Sequence, residues 1–386
     1  LSLFPAAARV FHHEEYGEDP FVVASAPGCV NIFGDFTEAS EGLQIGFALS
    51  QRIYVALSPR PDHQVRFLSR EFNEKKRCTT ATLKFRREDR WANFPKGAIA
   101  SMLSEESTVG LSVSVLSEVP PGIGLGSSQA LTVASLLSAG EFYGHGITEK
   151  EAADKAFKVE TEFVAGRSGK TSLHYVTEAE NGMIYLHDSR TQKMEGLSFI
   201  DGPVFYIINS KVPLTVFETI FSHDAHAIEK AMLYLGKGRP GKTLRDFTRS
   251  DIKLKLGDIP ENLRRRALFV VDEIARVQES VALFKSKDWK TLGKMMGKAH
   301  EGLRDLYEVS CPEIDWLVKR SLETEGVYGA RMVSQGAGAC VLILADSSAE
   351  PTLRHQLEEY ERIFGFHPEF IPTHPSGKAF VHITES

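Results

Sequence analysis

Apolar and polar positions fall into short runs over the first third of the chain. Residues 21–26, 53–57, 65–68 and 111–116 are apolar and rich in β-branched side chains, and they read as strands. Between the first two lies a polar, glycine-punctuated connection running from Pro27 through Cys29 to Glu38, followed by the apolar run 43–49. Apolar residues recur at helical spacing over 91–102, 130–139 and 148–165. Short strands follow at 183–186 and 203–208, then an apolar segment at 217–235 and a basic Gly/Pro linker at 236–242. Helical patterns at 262–284, 289–306 and 352–364 frame a strand at 340–344, and a last strand is expected at 379–383. Strands and helices interleave without regular βαβ alternation, which predicts an α+β fold. A chain of 386 residues exceeds one compact core. The polar stretch 188–195 divides it into an N-terminal lobe, 1–195, and a C-terminal lobe, 196–386.

The stretch Pro120 to Ala130 carries Gly122, Gly124 and Gly126 at every second position, then Ser127 and Ser128 at the head of the 130–139 run. A glycine-rich turn opening into a helix aims amide groups and the positive end of the helix dipole at one point, which suits a phosphate. A turn with an ordinary Ser cap accounts for the same residues. Glu160 falls at the edge of the 148–165 stripe, where it reads as an exposed carboxylate on a helix flank. The run Gly166 to Thr171 imitates the end of a Walker A loop, but Val164 occupies the place of its first glycine. His223 and His226 have no third ligand to make a metal site, and Arg264-Arg265-Arg266 reads as a solvated helix face.

Composition narrows the classes. The formal net charge of −6 gives no electrostatic case for nucleic acid or an anionic membrane as the main partner. No apolar run has transmembrane length and no signal-peptide pattern is present, so a cytoplasmic protein is expected. Four cysteines, at 29, 78, 311 and 340, lack CxxC spacing and read as reduced thiols.

Five segments together resemble the galactokinases, members of the GHMP family of small-molecule kinases. They are 26–31, Trp91-Ala92-Asn93-Phe94-Pro95-Lys96-Gly97, the glycine-rich loop, Leu303 to Glu313 and Gly326 to Met332. The resemblance implies a two-lobe GHMP kinase fold with the active site between the lobes, ATP and Mg2+ on one side and a sugar on the other. It implies ATP contacts from Trp91, Lys96, Pro120, Gly122, Gly124, Leu125, Gly126, Ser127 and Ser128. Ser128 and Glu160 match the metal-binding positions, and a hydroxyl and a carboxylate are the hard donors Mg2+ takes. A monomer with a sugar-like ligand is expected.

The acceptor side departs from the family. Cys29 stands at the position of an Arg that neutralises the phosphoryl group in flight, and Ser172 at that of the catalytic Asp. The sugar-binding Glu-His-Thr-Asp reads Asp35-Phe36-Thr37-Glu38, and Phe221 replaces a sugar-contacting Tyr. Ser334 and Ala339 replace glycines of the third motif, while Gly336 and Gly338 are kept. Lys170, or Arg167, is a candidate substitute for the missing charge, although solvent exposure explains both. Two functions fit: a sugar kinase inefficient on galactose, since a loose transition state tolerates loss of a base, or a nucleotide-binding sensor without catalysis.

Overall fold

The computed structural model describes residues 4–103, 109–166, 169–213, 215–216, 226–236, 241–255, 257–333 and 339–382. Phe221, His223, Asp224, Arg167, Ser334, Gly336 and Gly338 lie outside them.

The first strand is longer than its apolar run. β1 (Val22–Phe33) continues through Pro27, Gly28 and Cys29, the stretch expected to be a connection, and all twelve residues are buried. Slips in register between Pro27 and Cys29 and between Asn31 and Phe33 let the strand keep its partner past the proline. That partner, β2 (Leu43–Arg60), joins the runs 43–49 and 53–57 into one strand. Its C-terminal half pairs with β5 (Gly110–Ser117) and its N-terminal half with β6 (Met183–Asp188). β3 (Gln64–Ser69) runs parallel to β5 and carries the edge strand β4 (Glu74–Thr79), while β7 (Lys193–Ser198) pairs with β6.

A second sheet, in the order β11-β8-β10-β9, is antiparallel throughout. It comprises β8 (Val204–Asn209), β9 (Val327–Val333), β10 (Cys340–Ala345) and β11 (Glu369–Thr373). The chain then returns to the first sheet, where β12 (Phe380–His382) pairs with β1. Phe47 against Phe205, with ring centroids 4.7 Å apart, is part of one apolar core that runs through both sheets.

Helix α1 (Phe4–Tyr16), which the hydrophobic pattern does not announce, lies on β2 and β5. His12 fixes it there: its ring nitrogens are each 2.8 Å from a hydroxyl, Ser114 and Ser58. α2 (Asn93–Met102), α3 (Ser127–Phe142), α4 (Glu149–Lys158) and α5 (Lys170–Glu178) pack around the first sheet. α6 (Ala227–Leu235) and α7 (Arg249–Leu254) pack on α8 (Glu261–Ser286), which lies against β1, β2 and β7 of the first sheet, while α9 (Trp289–Gly302) and α10 (Pro312–Leu322) cover β9 of the second and α11 (Glu350–Phe364) packs on α10. Among the described residues no helix is long and apolar enough to cross a membrane.

Candidate active site

β5 delivers the chain to the glycine-rich turn, where Gly122, Gly124 and Gly126 all have positive φ. Gly126 is the cap residue of α3, and no side chain caps that helix. Its first amides and dipole therefore face out of the turn, as an anion site requires. β1 runs against the turn, the amide of Cys29 donating to the Leu125 carbonyl at 2.9 Å. A Cβ on Gly126 would lie 2.5 Å from the Cys29 sulfur, so the turn and the strand fit only with glycine there. Cys29 is buried, and burial pushes its thiol up to about 12 against the opposing hydrogen bond from Ser172. It is a neutral thiol at pH 7 and supplies no charge.

After α4 the chain widens into a π turn over Val159–Phe163. The turn brings Glu160 inward to 3 % exposure, where helical spacing alone leaves it on an exposed flank. Gln129 links it to the loop: the Ser128 hydroxyl donates to Gln129 Oε1 at 3.1 Å, and Gln129 Nε2 donates to Glu160 Oε2 at 2.8 Å. One hydroxyl and one carboxylate are thus held beside the open end of α3. That donor set, with phosphate oxygens completing it, fits Mg2+. Nothing in the local sequence marks Gln129, beyond its place directly after Ser128.

Trp91 is buried under Phe72 and its indole N–H donates to Glu74 at 3.3 Å. Lys96 is fully buried and pairs with Asp89. Lys170 projects toward α4, its ammonium 3.9 Å from Asp154 and over the ring of Phe157.

The loop after β1 takes a tight course, with positive φ at Gly34 and Phe36. Thr37 pins it by donating to the Gly34 and Leu43 carbonyls, both at 2.8 Å. Asp35 pairs with Arg331 of β9, a fully buried guanidinium that also donates to the Ile32 carbonyl at 2.7 Å and lies 3.3 Å from Glu273. Glu273 accepts the Gly34 amide at 3.0 Å and pairs with Arg276. Phe36 stacks on Tyr307, with centroids 4.0 Å apart and planes at 12°. Glu38 reaches the first turn of α5, where it accepts the Thr171 amide at 3.3 Å. Burial holds its carboxyl above the usual range despite those hydrogen bonds. Behind Thr171 lies His187, sharing a 3.0 Å hydrogen bond with its hydroxyl. Burial lowers that imidazole to about 4. Ser172 and Cys29 therefore meet, Ser128 and Glu160 are bridged, and Asp35 and Glu38 turn to opposite sides of the loop.

Comparison with known proteins decides the family. The GHMP kinases N terminal domain matches residues 93–172, the galactokinase galactose-binding signature 11–59, and the GHMP kinases C terminal domain 280–362. A galactokinase of Thermotoga petrophila is 32 % identical over 343 residues, 88 % of this chain and 94 % of that one. The chain belongs to the galactokinase family of GHMP kinases. Human galactokinase is 31 % identical over 364 residues, covering 92 % of each chain. Lactococcus lactis galactokinase, solved with galactose, shares the fold with a TM-score of 0.88 over 98 % of this chain and all of that one, at 21 % identity. Methanococcus jannaschii mevalonate kinase follows the same fold at 0.68, with 92 % and 98 % of the chains covered and 18 % identity. The α+β class expected from the interleaved pattern is thus the GHMP kinase fold, with its N- and C-terminal domains.

Proposed function

We propose that this galactokinase homologue transfers the γ-phosphoryl group of ATP to a sugar hydroxyl, in a cleft between lobes 1–195 and 196–386, with an acceptor other than galactose as its efficient substrate. The observation that carries this reading is the Ser128–Gln129–Glu160 bridge beside the uncapped start of α3. The turn amides cradle the phosphates, and Ser128 and Glu160 would hold Mg2+, which supplies charge neutralisation on the triphosphate. The hydrogen bond through Gln129 fixes both donors before the nucleotide arrives, so positioning is built into the loop. At the acceptor side Ser172 offers a hydroxyl and Cys29 a neutral thiol, and transfer there relies on orientation rather than on a strong base.

A nucleotide-binding sensor is the second reading, favoured by the uncharged Cys29 at the point where the phosphoryl group would pass. One experiment separates the two. Purified protein is given ATP and Mg2+ with galactose, other aldohexoses, hexuronic acids, deoxyhexoses and polyols, and nucleotide binding and ADP release are followed together. Sugar-dependent ADP release is the expected result. Tight binding of Mg-ATP without ADP release on any acceptor would overturn transfer and leave the sensor.

A further inference from the structure

The acceptor loop carries its two acids in an order opposite to the family's Glu-His-Thr-Asp: the short one first, Asp35, and the long one second, Glu38. Length decides where each carboxylate goes. Asp35, 1 % exposed, is drawn back onto Arg331, which is itself held by the Ile32 carbonyl and Glu273. Glu38 reaches forward to α5. Its Oε1 accepts the Thr171 amide, and its Oε2 lies 1.9 Å from where a Cβ on Gly169 would stand. Glu38 is thus joined to the first turn of α5 from inside the protein.

We propose that this reversal of carboxylate length sets acceptor specificity: Asp35 is engaged by Arg331 and Glu38 by the Thr171 amide, and this placement disfavours galactose. The inference rests on reading the 34–38 loop and the first turn of α5 as the acceptor side of a kinase site. A sugar hydroxyl meeting Asp35 Oδ2 or Glu38 Oε1 would compete with Arg331 or with the Thr171 amide, and a substrate shifted by about 1 Å to avoid them loses about 10²-fold in rate. Phe36 adds to the effect, since its ring stacks on Tyr307 and offers no hydrogen bond in place of the family's imidazole.

The test measures galactose binding by calorimetry without nucleotide, so that it does not depend on turnover, and Mg-ATP affinity in parallel. The exchange Asp35→Glu/Glu38→Asp should bind galactose at least about tenfold more tightly than the natural chain, a change of about 1.4 kcal/mol. Glu38→Asp alone should recover part of that gain, and covers the case in which Asp35→Glu does not fold. Glu38→Gln, of unchanged length, should give none. Glu38→Asp and the exchange binding galactose no better than the natural chain, while keeping its Mg-ATP affinity, would overturn the inference. Failure of the natural chain to bind Mg-ATP would count against the kinase reading, while a gain in galactose binding on exchange would still support this one.

Discussion

Two helices start near Cys29, and their ends are treated differently. α3 begins at Gly126 behind three glycines of positive φ, and no side chain caps it. α5 begins at Lys170 and receives the carboxylate of Glu38, 133 residues away in sequence. An uncapped helix start is an anion site in waiting, and a start already bonded to a carboxylate is a joint. The start of α3 thus keeps its donors turned outward, and the 34–38 loop has turned its polar groups onto the protein. The same contrast holds for charge: Glu160 is held at the glycine-rich turn by a neutral Gln129, whereas Asp35 is held by the buried cation Arg331.

The largest way to break this contrast is to remove the cation that holds Asp35. Arg331→Met leaves Asp35 and Glu273 buried with one partner gone, and should lower stability by about 3–5 kcal/mol, read from urea unfolding. A loss below about 1 kcal/mol would mean that water already reaches the pair.

Acid should act on the first sheet through two buried histidines. His12, which holds α1 on β2 and β5, and His187, on β6 behind α5, each have the ring lowered from 6.5 to about 4 by burial. Below pH 6.5 the unfolded chain takes up protons that the folded rings refuse, so stability falls as pH drops from 6.5 to 4 and is unaffected above 7. Each contributes about 3 kcal/mol to that loss when the shift is fully realised. His12→Gln and His187→Gln should each flatten the dependence of the unfolding midpoint on pH between 7 and 4.5. An unchanged slope in both would show that the rings already titrate in the folded state.

A smaller perturbation tests the seam between the glycine-rich turn and β1. Gly126→Ala meets both a positive φ and the sulfur of Cys29 at 2.5 Å, and should cost about 1–3 kcal/mol. Adding Cys29→Ala should return part of that loss, giving a non-additive pair in a double-mutant cycle. Strict additivity would mean that the strain lies in the backbone alone.

Much of this was legible from the chain. The glycine turn, the apolar helix after it and the long helices near 261–286 and 289–302 follow from local pattern, because each carries its periodicity within itself. β1 was hidden at 27–33 because that strand is buried on both faces, and its Pro, Gly and Asn residues break the alternation a half-exposed strand would show. α5 was hidden because its cap comes from Glu38 rather than from its own flank. Regular helical spacing puts Glu160 on an exposed flank, and the π turn rotates it inward. In the sequence Arg331 stands out only as part of the motif Gly326 to Met332. A lone charge among the apolar residues of β9 points to a buried partner, but the sequence does not say that the partner is Asp35.

The contrast rests on the proposed nucleotide role of the α3 start, and calorimetric titration of ATP with and without Mg2+ examines it directly. The natural chain should bind ATP in a Mg2+-dependent manner, and Ser128→Ala should bind Mg-ATP about 10- to 100-fold more weakly, as loss of one charge-assisted contact implies, with its unfolding midpoint in the absence of nucleotide unchanged. Equal affinity in the two proteins, or binding indifferent to Mg2+, would contradict the assignment of Ser128 and Glu160 and with it that role of the α3 start.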